Sequence, residues 1–444
     1  MQRGLFFYER FLLVGDRRPW NVMLVARLPG AIEEPALRAA LTGLQARHPM
    51  LCVRIVQQDG RPHFTTPDPV PPIELRIAPR SSDDDWFTAV ESEIDRPFDS
   101  TLGPLLRLVW LRSETVSELV LVASHCICDG RSMLLLVREI LAELCGNRRP
   151  SACEGRAPRH IVSVQELCHK DTRLTRRWRS LLSHAGAARW LVESWAGFRR
   201  PLPVPMLPSY VIRWDMDVSA TDALRASCRH EDVTPYTALA TAFLRAVRQV
   251  RPLQARNRLL CPIDIRPMLP LIEADMLFGY PDTVHLSLDP GLDDDFWHQV
   301  RRLRGDLTAR KARLDPRRSI LTSEHLHAIA DWFIDLQLHG RARNDLMFSH
   351  LGEADTPTGV GPFAGGSILG FLSSMPWRGT PAIFSLRDQG RMRFFLVSRE
   401  DVLPRADAGR IRDGALSLLG AEAGGRELEA AAATPRPEGR VATG

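Results

Sequence analysis

The chain has 444 residues, a hydrophobic share of 44%, a charged share of 25% and a formal net charge of +5. These are globular proportions, which exclude disordered and fibrous classes, and the length suits two lobes of roughly 150 to 230 residues better than one core. The positive charge is nearly all arginine, with Lys170 and Lys311 the only lysines; it is spread along the chain without a recognition motif, so no nucleic-acid partner is expected.

In chain order, Asn21 to Leu28 is extended and apolar, Pro29-Gly30 turns, and Leu37, Ala40, Leu41 and Leu44 recur at helical spacing until Pro49 stops the helix. Met50 to Gln57 reads as a second strand and Asp84 to Asp95 as a helix. After Pro97-Phe98-Asp99 and Gly103-Pro104, the runs Leu105 to Leu111 and Leu119 to His125 read as a hairpin. Helical spacing returns from Ser132 to Leu144, and Gly146 to Arg159 has the composition of a loop. Residues 1–163 are therefore expected to form an N-terminal lobe.

Residues 164–208 read as a basic, helical connection with Trp178, Trp190 and Trp195, closed by the proline-rich run Pro201 to Pro208. Residues 209–420 are expected to form a C-terminal lobe of the same style. Its strands are Tyr210 to Met216, Arg258 to Ile265, Leu346 to Leu351, Ile383 to Arg387 and Met392 to Ser398. Its helices are Thr234 to Val250, with Pro235 in the first turn, Phe296 to Leu314 and Ser323 to Leu338. The Ala-, Gly-, Glu- and Pro-rich tail, 421–444, has the composition of disorder. The fold class is α/β, with helix and strand mixed throughout in an α+β manner.

The longest apolar runs, such as Leu119 to Ala123 and Met133 to Val137, fall far short of the ~20 residues that cross a bilayer. The opening residues lack a basic-then-apolar signal pattern, so a cytoplasmic location is expected, with any membrane association peripheral. Eight cysteines without paired spacing fit reduced thiols.

The chemistry concentrates in Ser124-His125-Cys126-Ile127-Cys128-Asp129-Gly130. A histidine at the end of an apolar strand, followed by Asp-Gly and a helix, places an imidazole on a strand-to-helix turn that can aim it into a cleft. By itself the pattern also suits a histidine that merely ends a strand.

The segment resembles the His-His-x-x-x-Asp-Gly signature of the chloramphenicol acetyltransferase and condensation-domain superfamily of thioester-dependent acyltransferases. Other stretches agree in order and distance: Arg47-His48-Pro49-Met50-Leu51, Pro97-Phe98-Asp99 with Gly103-Pro104-Leu105-Leu106-Arg107, Pro262-Ile263-Asp264-Ile265-Arg266, and Ser349-His350-Leu351-Gly352. Two departures stand out. Ser124 occupies the place of the first histidine, and Phe278-Gly279-Tyr280-Pro281-Asp282 lies where relatives often carry Gly-Asn-x-x-Asn.

The resemblance implies two lobes of similar topology with an active-site tunnel between them. It implies His125 as the catalytic general base, transferring an acyl group directly from thioester to acceptor. Asp129 is expected to be structural and to pair with Arg266, with Gly130 needed for unusual backbone angles or a close approach. Ser349 is a candidate oxyanion donor, and Gly352 and Gly279 are candidate tunnel-lining positions. No tightly bound cofactor is implied; coenzyme A or phosphopantetheine would carry the donor acyl group.

A metal site at His125, Cys126 and Cys128 lacks a second paired cluster. Nucleophilic cysteine chemistry there is disfavoured because sequence neighbours on an extended turn point apart. Gly359 to Gly370 lacks the phosphate-loop spacing. The expected function is an acyltransferase of lipid, polyketide or peptide natural-product biosynthesis. Its donor is an acyl-CoA or acyl-carrier-protein, and its acceptor a small-molecule hydroxyl, less readily an amine. The alternative is a non-catalytic condensation-like module that docks a carrier protein, with the basic connection a candidate contact.

Overall fold

The computed structural model describes residues 1–14, 19–146, 160–161, 163–167, 207–289, 295–339, 343–354, 363, 365–376 and 379–422. Strand Val116–Ser124 has an unbroken apolar stretch, and a strand buried on both faces belongs inside a sheet. Across its five-stranded sheet the order is Ser367–Ser373, Asn21–Pro29, Val116–Ser124, Leu106–Arg112, Glu74–Pro79. The expected hairpin is present, with Leu106 opposite Ala123 and Arg112 opposite Ser117.

A second, six-stranded sheet runs Pro281–Ser287, Arg258–Asp264, Leu346–Glu353, Ala382–Asp388, Arg391–Arg399, Ser209–Met216. It mixes parallel and antiparallel pairs, and a small antiparallel sheet joins Gln2–Gly4, Arg61–Thr65 and Arg54–Gln58. The strand period of two divides the six-stranded sheet between two cores. Ala382, Phe384, Leu386, Phe395 and Val397 join the core of the five-stranded sheet, whereas Ile383, Phe394 and Leu396 face helices such as Pro235–Val250 and Arg405–Glu422.

Helix Glu34–Arg47 buries Leu37, Ala40, Leu41 and Leu44, the four residues its spacing marks. Its C-terminal end is tied to helix Gly130–Leu144: Arg47 pairs with Glu139 (2.8 Å) and Glu143 (2.6 Å), and His48 Nε2 meets Glu139 Oε2 at 3.0 Å. Phe98 and Arg107, from the next matching stretch, stack with the guanidinium 4.1 Å from the ring. Gly103 has φ +60, and a Cβ there would stand 2.5 Å from the Val53 carbonyl oxygen.

Several expectations are corrected. Met50 to Gln57 is not one strand: Pro49, with its fixed φ, opens a 3₁₀ turn, Pro49–Cys52, and only Arg54–Gln58 is extended. Ser323 to Leu338 divides into helix Pro316–Ser323, 3₁₀ turn Glu324–Ile329 and helix Ala330–His339. Asp315 caps the first of these and Pro316 starts it early, while Glu324 accepts the Phe7 amide at 2.7 Å.

The glycine-bearing stretch ending at Gly370 runs into strand Ser367–Ser373, which extends beside Asn21–Pro29. This strand lies within the residues assigned by sequence to a C-terminal lobe, yet it completes the five-stranded sheet. Helix Arg405–Glu422 takes in the first two residues of the expected tail, 421 and 422, and 423–444 lie outside the described residues. So do Trp178, Trp190, Trp195 and most of the 164–208 connection; of its helix only Val164–Leu167 is described. Among the described residues, no helix is long and apolar enough to cross a membrane.

Candidate active site

His125 follows directly on the central strand Val116–Ser124, and its amide donates to the Trp20 carbonyl at 2.8 Å. The loop then turns, with the Ile127 amide donating to the Ser124 carbonyl, and helix Gly130–Leu144 begins. Asp129 caps that helix by accepting the Ser132 amide at 2.9 Å. A strand end and a helix cap thus hold the motif between them.

The Asp129 carboxylate also accepts two parallel hydrogen bonds from Arg266, at 2.6 and 2.7 Å. This is the bidentate fork that makes arginine–carboxylate pairs specific in geometry. Arg266 further donates to Ser132 Oγ (3.0 Å) and the Phe278 carbonyl (3.0 Å), while the Phe278 amide donates to Ser132 Oγ at 3.1 Å. The network therefore draws segment 278–280 against the loop. There Gly279 lies so close that a Cβ would stand 2.6 Å from the His125 carbonyl oxygen. Gly130 has a comparable constraint: its Cβ would meet the Phe371 ring at 2.5 Å, so close approach, not left-handed backbone, explains it.

His125 is half-buried, its ring 5.2 Å from Trp20 in an edge-to-face arrangement. Among the described residues, Nδ1 is buried and has no side-chain partner. Burial pushes the imidazole below the ordinary histidine range; backbone groups of His125 and Cys128 and the Asp129 charge oppose this and are outweighed. For Asp129, burial alone would favour the acid, but the Arg266 guanidinium holds the carboxyl below its usual range. The site at neutral pH is therefore a neutral imidazole beside an ionised, fully paired carboxylate.

The thiols are of another kind. Burial pushes Cys126 up to about 12 and raises Cys128 as well, and Cys126 Sγ lies 3.2 Å from Ser124 Oγ. Both favour the inert thiol form over a thiolate.

Among the other expected residues, Ser349 lies on strand Leu346–Glu353 on the same side as Met347 and Leu351, which pack toward the five-stranded sheet. Leu351 reaches the motif itself, its Cδ1 lying 3.0 Å from where a Gly130 Cβ would be. Gly352 has φ +86 where the strand register shifts, so its place is a backbone requirement; a Cβ at this position would have no neighbour within 4 Å. His350 alternates to the opposite side of the strand and contacts Ser385 Oγ at 2.8 Å. Beside the loop is a small open pocket lined by Arg3, Glu9, Met50, Cys126, Ile127 and Gly279, among others. Arg3 and Glu9 form a bidentate buried pair in its wall, and His125 is not in its lining.

The same architecture and sequence recur in known proteins. A family model described as the condensation domain matches residues 1–252, more than half the chain. The chain belongs to the condensation-domain family. One curated relative, the nonribosomal peptide synthetase kk1B of Curvularia clavata, is 27% identical over 252 residues, covering 54% of this chain and 2% of the synthetase. The chondramide synthase cmdD of Chondromyces crocatus is 36% identical over 148 residues, 32% of this chain and 4% of its own length. The condensation-like chain thus spans only a few per cent of these relatives. Among solved structures, TRI3 trichothecene 15-O-acetyltransferase from Fusarium sporotrichioides superposes with a TM-score of 0.71 at 10% identity, over 95% of both chains. That likeness establishes the mixed α/β fold.

Sequence reasoning assigns no site role to Trp20, Ser132, Phe278 or Ser373. Ser132 carries a local signal, three residues after a capping Asp129, but the others meet the motif only through tertiary pairing.

Proposed function

We propose that this condensation-family protein transfers an acyl group from a thioester to a hydroxyl, less readily an amine, with His125 as general base. The observation that carries the reading is a neutral, half-buried imidazole on a loop held by the Asp129–Arg266 fork. As the acceptor oxygen or nitrogen attacks the thioester carbonyl, Nε2 takes its proton. Collapse of the tetrahedral intermediate breaks the C–S bond, and the imidazolium returns the proton to the departing sulfur as thiol. No acyl-enzyme is required, and the high thiol pKa of Cys126 argues against one.

Asp129 in this scheme is structural: both carboxylate oxygens are engaged by Arg266, so it is not free to orient the imidazole. Ser349, on the side of its strand that faces the motif, is the candidate donor to the developing oxyanion, with Gly352 and Gly279 shaping the path. The donor would be an acyl-CoA or an acyl-carrier-protein, and the cellular setting natural-product or lipid biosynthesis. The synthetase relatives favour a carrier-bound donor; the acetyltransferase neighbour favours ester formation.

The deciding experiment presents a panel of acyl-CoAs and acyl-carrier-proteins with pooled alcohol and amine acceptors, follows thiol release, and identifies product by mass. Wild type should release thiol and form product, and His125→Ala should not. Equal turnover by the variant would defeat the general-base assignment. Tight carrier-protein binding without turnover on any donor would favour a docking module.

A further inference from the structure

A general base works only if its ring is held at the angle that presents the lone pair to the reactant. In His125 a side-chain partner on Nδ1 would be the usual device, but among the described residues that atom meets none, and only backbone groups of the loop, at His125 and Cys128, act on the ring. Packing must then supply the rest of the orientation.

Trp20 contacts His125 at two points: its carbonyl accepts the His125 amide at 2.8 Å, and its indole stands 5.2 Å from the imidazole with 65° between planes. The indole is itself held. Its Nε1–H donates to Ser373 Oγ at 3.0 Å, and Ser373 Oγ donates to the Asn21 carbonyl at 2.9 Å. Ser374 completes the bracket: its Oγ donates to the Pro19 carbonyl (2.9 Å) and accepts the Asn21 amide (2.8 Å). Two adjacent serines, at the end of the strand that crosses into the five-stranded sheet, thus hold 19–21 through one side chain and the backbone.

We propose that Trp20 is the positioning residue for His125 and that Ser373 is its anchor, so that strand Ser367–Ser373 sets the angle of the catalytic ring. The inference rests on the acyl-transfer reading for its catalytic consequence, though not for its structural one. It predicts that the indole both orients the imidazole and shields it from water.

The titratable surroundings permit a clean test. Asp129 is the charge that acts on the ring and is neutralised by Arg266; Cys126 and Cys128 remain thiols; Glu9 is paired with Arg3; burial keeps the Tyr280 phenol protonated. The segment 19–21 and strand Ser367–Ser373 bring no titratable side chain.

The experiment is an NMR titration of histidine ring resonances, with the His125 signal identified among the 13 histidines by its loss in His125→Gln. In Trp20→Leu the His125 midpoint should rise toward the ordinary histidine value; Trp20→Phe, which keeps an aromatic edge, should stay near wild type. Ser373→Ala should shift in the same direction as Trp20→Leu by less. With a working substrate pair, Trp20→Leu should lower kcat about 10-fold with KM little changed. A Trp20→Leu titration coincident with wild type overturns the proposal. Should that variant fail to fold, Ser373→Ala decides, and a wild-type titration there overturns it equally. A shifted titration in a protein whose acyl transfer survives His125→Gln would instead defeat the general-base reading and leave the positioning intact.

Discussion

Two arginine–carboxylate pairs in this molecule, one buried and one half-buried, share chemistry and differ in what they hold. Arg107 and Glu93 meet at 2.6 Å with both side chains 2% exposed, and lie only 14 residues apart. Arg266 and Asp129 also meet at 2.6 Å, are 13% and 16% exposed, and are 137 residues apart. The first pair closes a local unit: Arg107 also donates to the Arg96 carbonyl and stacks on Phe98, and Glu93 takes a second arginine, Arg76. The second reaches across the chain and lays 278–280 against the carbonyl of His125. The first is the more deeply buried and makes one side-chain hydrogen bond, the second is a bidentate fork, and beyond this they differ in what each pair positions. What an ion pair holds in place here follows from its neighbours, not its strength.

The contrast is sharpest in variants that separate chemistry from stability. His125→Ala should lose about 10²–10⁴-fold in acyl transfer, with thiol release as the assay, while its melting temperature stays close to wild type. A variant that keeps its rate would remove the histidine from the mechanism and leave only its structural surroundings.

Glu93→Ala leaves Arg107 buried without its partner and should cost about 3–5 kcal/mol in a denaturant titration, yet the folded fraction should turn over normally. Arg266→Ala should cost about 3 kcal/mol, less because its partner keeps some solvent access, but should also reduce turnover per folded molecule. Equal specific activity in both variants would erase the distinction drawn between the two pairs.

Gly279→Ala probes the same contact by volume alone. A methyl 2.6 Å from the His125 carbonyl should push the loop away, at about 1–3 kcal/mol of stability and a larger fractional loss of kcat. Gly352→Ala meets no neighbour and is opposed by its positive φ only, so its effect should fall on stability.

The smallest expected effect is on pH dependence, where two groups share a sign and differ in pH range. Asp129 is held below its usual range, so its contribution to stability is complete above the ordinary carboxylate pKa of about 3.9 and fades as pH falls through the lower folded value. His125 is also depressed: its folded form resists protonation, so its contribution is present above about 6.5 and fades as pH falls below. Rate should therefore show an acid limb below the ordinary histidine range, which stability alone would not reproduce in an Asp129→Asn, Arg266→Met double variant. An acid limb at or above the ordinary range would contradict the buried, neutral imidazole.

Much of the fold is legible in the chain because local signals agree there. The apolar run before His125 marks a buried strand, the four leucine and alanine positions of Glu34–Arg47 mark a helix face, and Thr234-Pro235 marks a helix start. The motif and its matching stretches point to Asp129 and Arg266 as partners, and their side chains do meet. The strand at Ser367–Ser373 is not legible, because its glycine lowers strand propensity and its pairing partner lies more than 300 residues away. Gly370 is tolerated there because the Phe395 ring fills the space a side chain would take.

By itself, the sequence determined the helix and strand mixture, the placement of His125 at a strand-to-helix turn, and the residue types of the ion pair. These depend on spacing, capping and the order of apolar residues within a few turns of chain. Only the tertiary structure decided that Gly279 presses on the His125 carbonyl, that Trp20 faces the imidazole, and that Ser373 and Ser374 hold Trp20's segment. Those contacts join residues about 100 to 350 positions apart, and no periodicity encodes which distant backbone will lie within 3 Å of another.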